Sequence, residues 1–95
     1  MKAAGSILKN LKVARDNLAN QNNKCEYICE ALGWPDRGTE KHDAIRFLVE
    51  KYGMDLGGDW FDTGLPESYE TPVKINKRVR VAFLDKVIAA ESEQC

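Results

Sequence analysis

The sequence predicts a mainly α-helical domain: a small bundle of about four helices, with a long acidic loop before the last one. Three observations predict it. Apolar residues recur every three or four positions in the stretches near 6–20, 24–32 and 39–52, the period of a helix with one face on a core. Asparagine, threonine and glycine stand where those stretches begin and end, as helix caps and stops require. Between 53 and 72 that period vanishes, and four of the 7 glycines and two of the 3 prolines gather there.

The first helix is expected over roughly Ser6 to Asn20. Ile7, Leu11, Ala14 and Leu18 form its apolar stripe, with Lys2, Lys9 and Lys12 opposite. The run Asn20-Gln21-Asn22-Asn23 breaks it, because asparagine prefers turns and caps. The second helix, 24–32, carries Cys25, Ile28, Cys29 and Leu32 on one face, and Gly33 ends it. Trp34-Pro35-Asp36-Arg37-Gly38 reads as a turn.

Thr39 then caps a third helix, 39–52, with Ile45, Leu48, Val49 and Tyr52 inward and Gly53 as its stop. Phe47 falls on the opposite side, among Asp43, Glu50 and Lys51. Either it packs under another segment or it is exposed. Residues 53–72 read as a loop, with one possible helical turn at Pro66-Glu67-Ser68-Tyr69. The last segment, 74–90, is ambiguous. Val79, Val81 and Phe83 alternate as in a strand, yet Phe83, Leu84, Val87 and Ile88 continue at helical spacing. No second strand is evident, so helix is expected.

Ninety-five residues amount to one domain, 1–95, with a modest core. An apolar content of 43% argues against wholesale disorder. No apolar run approaches the roughly 20 residues that span a bilayer. Lys9 and Lys12 interrupt any leader-like start. A cytoplasmic protein away from membranes is expected. Three cysteines, an odd count, suggest reduced thiols rather than a disulfide framework.

The net charge of −1 hides a pattern. Residues 1–24 carry five bases and one acid, and residues 74–95 five bases and three acids. Residues 53–73 carry five acids and no base. Basic ends flank an acidic middle, which is not the charge pattern of a general nucleic-acid coat protein.

Within that acidic middle, Phe61-Asp62-Thr63-Gly64 resembles the active-site loop of retroviral-type aspartic proteases. The resemblance covers those four residues alone. It implies a nearly all-β dimer with a glycine-containing flap and a later apolar-apolar-Gly segment. Only 31 residues follow Gly64, none of them glycine, so the scaffold that would oppose two such carboxylates is missing.

Cys25, Cys29 and His42 have the spacing Cys-x3-Cys-x12-His, within the range of zinc ligands. No fourth ligand follows, because residues 46–48 are Arg-Phe-Leu. Both cysteines fall on an apolar face, where a thiol packs as a small hydrophobe. No metal or cofactor is expected. His42 is the sole histidine, no glycine-rich phosphate loop ends in lysine, and the aspartates lack calcium-loop spacing. An enzyme is not expected.

The remaining reading is a binding protein. Trp60, Phe61 and Tyr69 are residue types that carry interface energy, and Asp55, Asp59, Asp62 and Glu67 surround them with charge. Together with Phe47 they form the expected site for a protein partner with a basic surface. The expected role is that of a small phage or mobile-element accessory protein or inhibitor. The alternative is a helix-turn-helix regulator of DNA built from 24–32 and 39–52, with Arg37, Lys41, Arg46 and Lys51 reaching the nucleic acid.

Overall fold

Thr39 supplies the clearest start signal in the chain, and its hydroxyl does cap a helix: it accepts the His42 N–H at 3.2 Å and donates to the Asp36 carbonyl at 2.7 Å. A computed structural model of the chain describes residues 5–57, 61–65 and 77–92. Their order is α1 (Gly5–Ala19), α2 (Ile28–Ala31), α3 (Glu40–Tyr52), β1 (Asp55–Gly57), β2 (Phe61–Gly64) and α4 (Lys77–Ser92). The fold is mainly helical, as the periodicity predicts. The Cα radius of gyration is 12.1 Å, close to the roughly 12 Å of a compact chain this long.

The expected ends of α3 hold. Gly53 adopts the left-handed region (φ 72°), its N–H reaching the Val49 carbonyl and that of Met54 the Leu48 carbonyl. That reversal buries Met54. Gly33 ends α2 in the same way, at φ 78°. Its N–H donates to the Glu30 carbonyl and that of Trp34 to the Cys29 carbonyl, both at 2.9 Å, the paired bonds of a Schellman stop.

The start of α2 is where the expectation of 24–32 fails. The first-turn N–H groups are held by side chains, as helix starts allow, but the backbone leaves the helical region at Tyr27 (φ −107°, ψ 149°). The Asn23 carboxamide accepts the Cys25 N–H at 3.2 Å, and the Glu30 carboxylate accepts the Glu26 N–H at 2.8 Å. Tyr27 stays extended, and four helical residues remain. The acidic stretch also differs from expectation. It is not structureless: β1 and β2 pair antiparallel, with Asp55 opposite Gly64, Leu56 opposite Asp62 and Gly57 opposite Phe61. The register slips between Asp55 and Leu56, the mark of a bulge.

The ambiguous last segment is helix, not strand. Arg80, Phe83, Leu84, Val87 and Glu91 are its buried residues, three, four and seven positions apart, and α4 packs most extensively on α1. Lys77, in its first turn, donates to the carbonyls of Asn20 and Asn23 and so ties α4 to the end of α1. The Arg80 guanidinium lies 4.6 Å from the centre of the Tyr27 ring.

One core joins these elements. Leu11, Ala14 and Leu18 of α1 meet Ile28 and Cys29, Ala44, Phe47 and Leu48, and Leu84 and Val87. Phe47 is only 2% exposed. It packs against Tyr52 at 5.8 Å between ring centres. Its inclusion in a partner-binding surface is therefore corrected: α3 is covered on more than one side, and Phe47 belongs to the core. Lys51 is corrected likewise. It is half-buried and pairs at 2.8 Å with Glu91, whose side chain is fully buried and also accepts from the Tyr52 hydroxyl at 2.5 Å.

Two outcomes follow. Phe47→Ala should cost about 3–5 kcal/mol of stability, read as a fall in the denaturation midpoint, whereas Lys41→Ala on the exposed side should cost no more than about 0.5 kcal/mol. The second concerns alkali. Burial, and next the Glu91 carboxylate, push the Tyr52 phenol up to about 12. The unfolded phenol titrates near about 10, so above that pH the unfolded chain loses a proton that the folded one keeps. The stabilisation is complete below about pH 10 and disappears as the pH rises towards 12. Tyr52→Phe should remove that part of the alkaline loss. Equal alkaline profiles for the two proteins would refute this role of the phenol.

Candidate functional site

His42, Ile45, Arg46, Val49 and Glu50 stand three, four, seven and eight positions apart, so they form one stripe along α3. This stripe faces away from Phe47 and the α1 contact. Leu56 of β1 stands across from it, and Arg37 and Gly38 of the preceding turn close one end. Between them lies an open groove of about 370 Å³, inside the roughly 300–1,000 Å³ range of ligand sites.

The floor of the groove is aliphatic. Ile45 is buried, and Val49 and Leu56 are half-buried against the core. The rim is charged. Arg37, Arg46 and Glu50 are all exposed, and Arg46 donates to Glu50 at 3.2 Å, one helical turn on. His42 contributes a buried Nδ1 that has no hydrogen-bond partner. Arg37 and Arg46 bring guanidiniums to the rim and Glu50 brings a carboxylate. The set offers recognition chemistry: forked donors for a planar anion above a surface that gains from covering apolar area.

The residues expected to form the sites are distributed as follows. Asp55 is exposed at the start of β1, and the backbone of Phe61 and Asp62 lies in β2. Asp59, Trp60, Glu67 and Tyr69 lie outside the described residues. Of the four cations proposed for nucleic acid, Arg37 and Arg46 meet in the groove. Lys41 is exposed on the first turn of α3, and Lys51 is held inward by Glu91. The expected first helix of that motif is reduced to the four residues of α2.

Cys25 and Cys29 form no disulfide and are buried, while His42 lines the groove. Among the described residues, no three or more His, Cys, Asp or Glu side chains are grouped to hold a metal ion. No helix there is long and apolar enough to cross a membrane. The Asp-Thr-Gly triplet occupies one strand of a two-stranded ladder amid helices, without the β scaffold its resemblance implies.

Leu56 and the stripe through His42 were not recognised from sequence as one site. The stripe's spacing was legible. Its pairing with a strand was not, because Leu56 stands alone between Asp55 and Gly57. Trp34 was also passed over. It is 37% exposed, the large apolar side chain left at the surface among the described residues, and it adopts a positive φ of 51°.

Comparison with known proteins finds no matching family model, no matching curated protein and no matching solved structure.

The cysteines yield a test of the core. Desolvation pushes the Cys25 thiol above its ordinary value, which lowers its thiolate fraction, and both sulfurs are covered. Iodoacetamide near neutral pH should leave Cys25 and Cys29 unmodified in the native protein and label both after denaturation. Peptide mapping by mass spectrometry reads the sites; rapid native labelling at either would contradict the packing described.

Proposed function

We propose that this chain is a non-enzymatic, cytoplasmic protein-binding module that grips a basic partner through its acidic aromatic segment. The role matches that of a small phage or mobile-element accessory protein or inhibitor. The observation that carries the reading is how this segment is anchored. Residues 53–73 carry five acids and no base, and the described residues among them, 53–57 and 61–65, are tied to the fold. They leave α3 through buried Met54, pair as β1 and β2, and return to the core at buried Leu65. Anchoring reduces the ordering cost of binding, and clustered acids steer a basic partner towards its dock.

Asp55, exposed on β1, marks the described edge of this surface. Nothing in the core depends on its charge. Reversal of Asp55, Asp59 and Asp62 to lysine should therefore leave the melting temperature nearly unchanged, while association slows and its salt dependence flattens. The measurement is a comparative pull-down from the cells of origin, wild type beside the triple variant, with mass spectrometry of what each retains. A basic protein held by the wild type and lost by the variant supports the reading. Equal retention by two folded baits would place the interface elsewhere.

A further inference from the structure

We draw no further inference here: the strongest candidate, the open groove between α3 and β1 over Ile45, Val49 and Leu56, carries none, because Arg46 on its rim is already paired with Glu50 and nothing in the structure shows what covers its aliphatic floor.

Discussion

The Glu91 carboxylate is the constraint on which the arrangement of α3 depends. A fully buried carboxylate is expensive unless it is paired and hydrogen-bonded. Here Lys51 approaches it at 2.8 Å and the Tyr52 hydroxyl at 2.5 Å, so the last turn of α4 is fastened to the last turn of α3. The Lys51 ammonium also lies 5.6 Å from the centre of the Phe47 ring, and Tyr52 meets Phe83 edge-on at 6.4 Å. Charge and aromatic packing thus agree on one rotation of α3. Glu91 is the fully buried member, so removing Lys51 or the Tyr52 hydroxyl takes away part of its compensation, which is why this joint tolerates little change.

That rotation determines what the rest of α3 can do. With Ala44, Phe47 and Leu48 turned into the core, the stripe from His42 to Glu50 is left for the opposite side. The left-handed turn at Gly53 sends the chain back so that Leu56 faces this stripe. The groove is therefore a consequence of the joint with α4: a different rotation would bury Arg46 or expose Phe47. The same reversal anchors the start of the acidic segment at Met54, held 2% exposed in the core.

How much of this was legible depends on how local each determinant is. The caps at Thr39, Gly33 and Gly53 act on their own backbone, and α1 and α3 follow from them and from the helical period. The second helix is shorter than its apolar period suggests because Tyr27 is extended, and a period of side chains does not reveal a single extended residue. The last segment carries both periods at once, and the choice was made by packing on α1 and by the anchors at Lys77 and Glu91. Strands of three and four residues are too short for alternation to declare them. Phe47 was misplaced for a related reason. A single-stripe reading assumes a helix with one wet side, and α3 is covered along more than half its circumference. The groove was invisible because its two walls come from separate elements, even though Arg37 and Arg46 had both been singled out for a different purpose.

Glu50 and Lys51 show how burial separates neighbours of similar chemistry. Each takes part in an ion pair at close distance. The pair of Glu50 with Arg46 is exposed on both sides, and an exposed pair one helical turn apart contributes only about 0.3–0.5 kcal/mol. The pair of Lys51 with Glu91 is closed off from water on the carboxylate side, where screening is weak and a vacated partner is costly. The first arrangement is exchangeable with solvent; the second is fixed and suits a joint. One peptide bond separates the two, and the difference lies in which side of α3 each residue occupies.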